Sequence, residues 1–522
     1  MTLTPVRQVQ NLERYSVARS NAGTYYNVVL GARLQLVNGN SAQTTLPKDK
    51  EQWLELLTGP LTWLIQKHPA LSVVIGDHLS AKPTFLRLPS IDLSRLVRVA
   101  RIQQRAEISL VLEDEHAAQF DLLNHEIPLW RIVVVHVVED DTFYLLYCFQ
   151  HVIGDGRSAQ TLTEQLVQQL NIQTALPKDN DKTQLPTVVV PPNDPLPPSL
   201  EMRHNCRPSV STLIKEATLG LLLPGPVKRV IGPKHWAGEF DTRLDVPHLS
   251  QASAFHLTRE ETSQLLKTAK EHKTTVQAIL FAATNFAIKS MFLSKIEHGN
   301  SGNDKKPMTT KDKLSFSTPV SLRPLLTPAV DLADQGTFTS EIITRDIRIL
   351  LETGFWELGQ TYRQQIVRGT TTPKGVRDML QHVGLLEYLP KQPGGWEEFL
   401  RGYATKEHHG RSTTLMLSNL GKGWDQPETN QGPAINFKVQ DAIFSQSTET
   451  TGSVFALGAA TAGGILSVTA TWQKAAFSSR ERGDLYLQEV KRILLQAIEP
   501  ERKNYTFREA VLSAPATLHN KP

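Results

Sequence analysis

Cysteine is almost missing. The 522 residues hold only Cys148 and Cys206, too few for a disulfide framework and in keeping with a reducing compartment. Cys148 adjoins an apolar run, which favours a small buried hydrophobe over a nucleophile. His-Glu-x-x-His is absent, and His116, His125 and His136 share a region without ligand spacing, so no metal is expected. Gly-x-Ser-x-Gly is also absent, which removes the elbow of a serine hydrolase. The net charge of +4 is spread thinly with no basic block, so no nucleic-acid partner is expected. Apolar runs are too short or too broken for a membrane span, and without an apolar leader secretion is not expected. Leu219 to Val227 is greasy but carries Pro224 and Pro226. It reads as a buried connector, with a membrane-touching loop as the alternative.

What is present is a globular composition, 40% apolar and 21% charged. The length suits two domains. Residues 1–210 read as one α/β domain, 211–250 as a linker or crossover, and 251–522 as a second α/β domain. In the first, Tyr25 to Leu36 alternates as a strand, and Lys50 to His68 carries an apolar helical stripe. Trp130 to Val138 and Thr142 to Gln150 read as a hairpin. Asn11 to Ser20 mixes polar and apolar residues and reads as a lead-in. Asn171 to Ser211 is proline-rich and extended. In the second, Thr258 caps a helix, Thr275 to Met291 is an apolar helix, and Gly463-Gly464 marks a hairpin turn.

The chemistry gathers in Tyr147-Cys-Phe-Gln-His-Val-Ile-Gly-Asp-Gly-Arg-Ser158. An apolar strand ends here and a helix begins. A neutral imidazole at His151 could take a proton from a hydroxyl or amine as it attacks an electrophile. No nucleophilic side chain occupies the neighbouring place, so the attacking atom would belong to the substrate. Asp155 reads as a structural carboxylate, with Arg323, held before Pro324, or Arg157 as its partner. Gly156 would allow a tight turn or a close backbone approach. On these residues alone, a packed histidine beside a helix-starting aspartate fits equally well.

His151-Val-Ile-Gly-Asp-Gly156 resembles the active-site signature of the acyltransferase superfamily of chloramphenicol acetyltransferase, plant acyl-CoA-dependent acyltransferases and peptide-synthetase condensation domains. Pro319-Val-Ser-Leu-Arg-Pro324 resembles a strand-end segment of condensation-like proteins. Ser418-Asn-Leu-Gly421 and Tyr25-Tyr-Asn27 are similar to segments of the fungal alcohol acetyltransferase family. The Asp-Phe-Gly-Trp-Gly segment of the plant branch is not found.

The resemblance implies two chloramphenicol-acetyltransferase-like domains of α/β class, with mixed sheets flanked by helices and a tunnel at their interface. It implies an acyl-CoA-dependent O-acyltransferase that moves acetyl from acetyl-CoA to an alcohol, with His151 as general base and Asp155 as support. A carrier-protein-fed condensation enzyme, an N-acetyltransferase and a non-catalytic binding protein are the alternatives. No cofactor is expected beyond acetyl-CoA as co-substrate. For the oxyanion or donor contacts, Asn419, Gly421 and Ser445 are candidates, with turn or strand-cap roles as the plain alternative. Tyr25 and Trp472 would line the acceptor side. The expected partners are acyl-CoA and a small or lipophilic alcohol or amine. The expected state is a cytoplasmic monomer, with peripheral contact to the endoplasmic reticulum or lipid droplets left open.

Overall fold

The computed structural model describes residues 3–37, 45–175, 186–217, 235–242, 244, 249–293, 313–404, 410–426, 436–500, 502 and 504–514. The first half runs β1 (Thr4–Gln8), α1 (Asn11–Asn21), β2 (Val28–Leu36), α2 (Lys50–Lys67), β3 (Val73–Gly76), β4 (Thr84–Arg87), β5 (Ile91–Asp92), β6 (Val97–Ile102), α3 (Ile108–Ala117), β7 (Trp130–Val137), β8 (Thr142–Phe149), α4 (Gly156–Ala175), β9 (Val188–Val189), α5 (Leu200–Arg203) and α6 (Val210–Ala217). The second half runs β10 (Ser250–His256), α7 (Arg259–Glu271), α8 (Val276–Ile288), β11 (Leu314–Ser321), β12 (Thr339–Ile347), α9 (Phe355–Thr371), α10 (Pro373–Gly384), α11 (Gly395–Ala404), β13 (Thr413–Lys422), β14 (Phe437–Gln446), β15 (Ser453–Ala462), β16 (Ile465–Gln473), α12 (Arg480–Ala497) and α13 (Phe507–Leu512).

Two mixed sheets carry the two lobes. The first has order β14-β2-β8-β7-β6, the second β10-β16-β15-β13-β11-β12. Strand β8 is buried at every position, which suits a central strand packed on both faces. Its odd residues Phe143, Leu145, Tyr147 and Phe149 join one core with α2 and α4. Its even residues Tyr144, Leu146 and Cys148 join another with α3. Leu162, Leu166, Val167 and Leu170 of α4 are buried, as the helical spacing requires. Strands β15 and β16 turn at Gly463 (φ +55°) and Gly464 (φ +81°), the left-handed pair that a two-residue hairpin needs.

The second core is built round α8, which is buried from Ala278 to Ile288. Val276–Leu293 is long and apolar enough to cross a membrane, yet 67% of it is buried inside this lobe. The Thr258 capping box forms as the sequence suggests, with Glu261 N donating to Thr258 Oγ1 at 3.1 Å and Thr258 N to Glu261 Oε2 at 2.8 Å.

Strand β14 belongs by position to the second half but pairs with β2 of the first, from Phe437↔Leu36 to Gln446↔Val28. Arg33 and Arg105 both reach the buried Asp441 at its centre. Helix α1 makes the reverse crossing. Arg14 lies 4.3 Å from the Trp396 ring centroid, and Asn21 Nδ2 donates to Glu397 Oε1 at 3.0 Å. The lobes are thus stitched on both sides of the boundary, and a single cut through the chain near residue 250 does not separate the sheets.

Candidate active site

His151 opens a 3-10 turn, His151–Ile153, between β8 and α4. Gln150 holds that turn. Its side-chain oxygen accepts from Val152 N, and its Nε2 donates to Ser16 O on α1 at 3.0 Å. From the second lobe, the Thr337 hydroxyl donates to the His151 carbonyl at 3.2 Å. The residue is half-buried, between the rings of Tyr25 (6.1 Å between centroids) and Phe149 (6.3 Å).

The two ring nitrogens differ. Nδ1 is buried with no partner but the residue's own carbonyl among the described residues, whereas Nε2 is neither sealed nor hydrogen-bonded. Nε2 is therefore the more open of the two ring nitrogens. Burial is the main force on the pKa and lowers it. Arg19 lowers it further, while Asp155 and the residue's own carbonyl oppose them, and the balance is about 4. The ring is neutral at physiological pH.

Asp155 faces away from this chemistry. It caps α4, accepting from Ser158 N at 2.9 Å. Its other oxygen accepts from Phe338 N at 2.9 Å and from Arg323 Nη1 at 2.6 Å. Arg323, fully buried, also donates to Ser158 Oγ at 2.8 Å and to the carbonyls of Asp334 and Gly336. Burial by itself would raise the Asp155 pKa. The Arg323 guanidinium and the Phe338 and Ser158 amides outweigh it and hold the carboxylate below its usual range. Arg157 bonds Gln160 instead of Asp155.

Gly156 starts α4 with an ordinary backbone. A Cβ there would lie 3.0 Å from Leu420 Cδ2 and 3.6 Å from Phe444 Cζ. Close approach of the second half, not a turn conformation, asks for glycine.

Four residues expected at the site are engaged elsewhere. Ser445 is fully buried, and its hydroxyl meets His116 Nε2 at 2.7 Å, while His116 Nδ1 meets Asn27 Oδ1 at 2.7 Å. Strand alternation sets Ser445 on the α3 face, opposite Phe444 and Gln446, so it is turned from His151. Asn419 spends its Oδ1 on the amide of Gly421 at 2.8 Å, and Gly421 supplies the left-handed bend at φ +73°. Trp472 is a core residue of the second lobe, its Nε1 donating to Gln251 Oε1 at 3.0 Å. Tyr25, by contrast, is beside His151.

The signal missed in Ser418-Asn-Leu-Gly421 is Ser418 itself. Leu415 and Leu417 point into the second core, so Met416, Ser418 and Leu420 point the other way. Leu420 joins the first core and meets Gly156. Met416 and Ser418 are half-buried although β13 is an interior strand, which means open space lies over this face. The Ser418 hydroxyl has no hydrogen-bond partner among the described residues. Two small cavities lie apart from it. One is among Leu61, Trp130 and Tyr147, the other behind the turn at Val152, Ile153 and Gln335.

Cys148 is fully buried, and burial pushes its thiol well up. Among the described residues, no three His, Cys, Asp or Glu side chains group as a metal site.

The chain is a two-lobed α/β fold with His151 held at the lobe boundary. Solved structures share the architecture. The TRI3 trichothecene 15-O-acetyltransferase of Fusarium sporotrichioides superposes with a TM-score of 0.62 at 13% identity, covering 94% of this chain and 95% of that one. The condensation domain of the monacolin K polyketide synthase MokA gives 0.55 at 14%, covering 97% and 99%. Among curated proteins, the probable alcohol acetyltransferase crmB of Aspergillus fumigatus is 22% identical over 64% of this chain and 66% of its own length. The probable alcohol acetyltransferase FCK4 of Fusarium pseudograminearum is 24% identical over 84% and 87%. The alcohol acetyltransferase family model matches residues 106–494. The chain belongs to that family of acyltransferases.

Proposed function

We propose that the protein transfers acetyl from acetyl-CoA to an alcohol by direct attack, with His151 as general base. The observation that carries this reading is the pair of unlike ring nitrogens, with Nε2 open while the residue's carbonyl and the neighbouring Asp155 are engaged. Family membership supplies the acyl-transfer class.

In the reaction, Nε2 takes the acceptor hydroxyl's proton as its oxygen attacks the thioester carbonyl. A carbon–oxygen bond forms. The tetrahedral oxyanion then collapses, the carbon–sulfur bond breaks, and the imidazolium returns the proton to the departing thiolate. The ring starts neutral and so is free to take the proton. The oxyanion needs a donor. Ser445 is committed to His116, Asn419 projects from the opposite face of β13 by strand alternation, and the Ser418 hydroxyl on the open face of β13 takes that role. The donor and acceptor would enter the inter-lobe space from opposite ends.

The test is purified protein with acetyl-CoA and a panel of alcohols and amines, following thiol release with product detection. Alcohol-dependent thiol release with a matching ester is expected. Amide as the sole product would make the enzyme an N-acetyltransferase. Turnover only from acyl groups on a carrier protein would replace the CoA-dependent reading.

A further inference from the structure

The wall beside His151 is polar beyond what an aliphatic alcohol can satisfy. Next to the Tyr25 ring lies Arg19, its guanidinium 4.2 Å from that ring's centroid and 4.6 Å from that of Tyr15. Arg19 Nη1 reaches Glu449 Oε2 at 3.2 Å, and the Tyr15 hydroxyl donates to Glu449 Oε1 at 3.2 Å. The Tyr25 hydroxyl donates to Gln446 Oε1 at 3.4 Å. Gln446 and Glu449 are half-buried and border reachable space, while Tyr15, also half-buried, packs in part against the Trp396 cluster. The wall joins α1 to the connection after β14 and exists only where both halves meet.

These groups are not saturated. A carboxylate offers about four acceptor positions, and the two contacts of Glu449 are long. The Tyr15 oxygen keeps its lone pairs, and burial with the nearby Glu449 and Glu341 keeps it protonated. Glu449, already paired with Arg19, and Gln446 present acceptor oxygens. A hydroxyl can meet these and the phosphates of CoA, acceptors themselves, cannot, so this end of the cleft is assigned to the acceptor.

Resting on the acetyl-transfer reading above, we propose that the acceptor is a polyhydroxylated alcohol whose second hydroxyl donates to Glu449 beside Tyr15, and not a simple aliphatic alcohol. An alkyl chain laid on this wall would strip water from Glu449, Tyr15 and Gln446 and return no hydrogen bond. A site built to bond a hydroxyl discriminates strongly against an analogue that lacks it.

The experiment compares 1-octanol with octanediols whose second hydroxyl steps along the chain, using the full-length protein and acetyl-CoA. At least one diol is expected to exceed octanol by about tenfold or more in kcat/KM. Glu449→Gln and Tyr15→Phe, each checked by thermal unfolding, are expected to shrink that diol-to-octanol ratio several-fold. Octanol turned over as well as every diol, or a ratio unmoved in both variants, overturns the proposal and leaves acetyl transfer standing. Absence of thiol release with any acceptor in the alcohol panel overturns both.

Discussion

Replacing Asp155 by alanine would expose how the histidine turn is held. Asp155 and Arg323 are both fully buried, 2.6 Å apart, in separate halves of the chain. Removing the carboxylate leaves a guanidinium in the interior with Ser158, two carbonyls and the face of Phe338 to meet it, and no countercharge. Breaking a buried pair from one side costs about 3–5 kcal/mol. The lost cap of α4 accounts for ~1 kcal/mol within that range. Asp155→Ala should therefore lower the urea midpoint clearly, read by circular dichroism and by activity on the same samples. Adding Arg323→Met removes the stranded charge, so the double variant should be destabilised by less than the sum of the singles, with a coupling of roughly 1–3 kcal/mol. An Asp155→Ala protein that unfolds at the wild-type midpoint yet transfers no acetyl would refute the reasoning. The carboxylate would then act on the chemistry itself.

The pH dependence follows from His151. Its pKa of about 4 lies below the ordinary value near 6.5, so the base stays unprotonated and kcat/KM should be flat down to roughly pH 5. An acid limb near 6.5 would contradict the burial and the Arg19 effect. The same depression bears on stability: between about pH 6.5 and 4 the unfolded chain binds a proton that the folded one refuses. Stability should therefore fall as pH drops through that window, by at most roughly 3.5 kcal/mol from this residue, measurable as the loss relative to His151→Ala. Gly156→Ala would press a methyl on Leu420 and Phe444 where the halves meet. It should change the melting point little, since its backbone is ordinary, yet cut kcat roughly tenfold by shifting the turn. Wild-type kcat would show that the contact yields freely.

Legibility tracked local periodicity. Strand β8, helix α4 and the Gly463-Gly464 hairpin each carry their pattern within a few residues. Helix α1 does not, because it buries charge. Glu13, Arg14 and Arg19 are all buried, satisfied by Arg7, by the Trp396 face and by Glu449. These partners lie elsewhere in the chain, so no apolar stripe forms, and with the helix went the polar wall beside His151. Helices α10 and α11 were missed as well, lying in a stretch where no strand or capping box set a frame. The pairing of β14 with β2 joins residues some 400 apart in sequence, beyond any local signal. Arg323 was legible because Pro324 fixes its place after a strand. Ser445 misled, since a serine near a strand end looks available until the sheet's partners show which face it takes.

The decisive measurement is steady-state kcat for His151→Ala against wild type, with acetyl-CoA and the best alcohol of the panel. Thermal unfolding on the same preparations serves as the check on folding. A general base reached through Nε2 predicts a fall of roughly 10²–10⁴-fold with the fold intact. A folded His151→Ala protein that keeps its acetyl-transfer rate would contradict it.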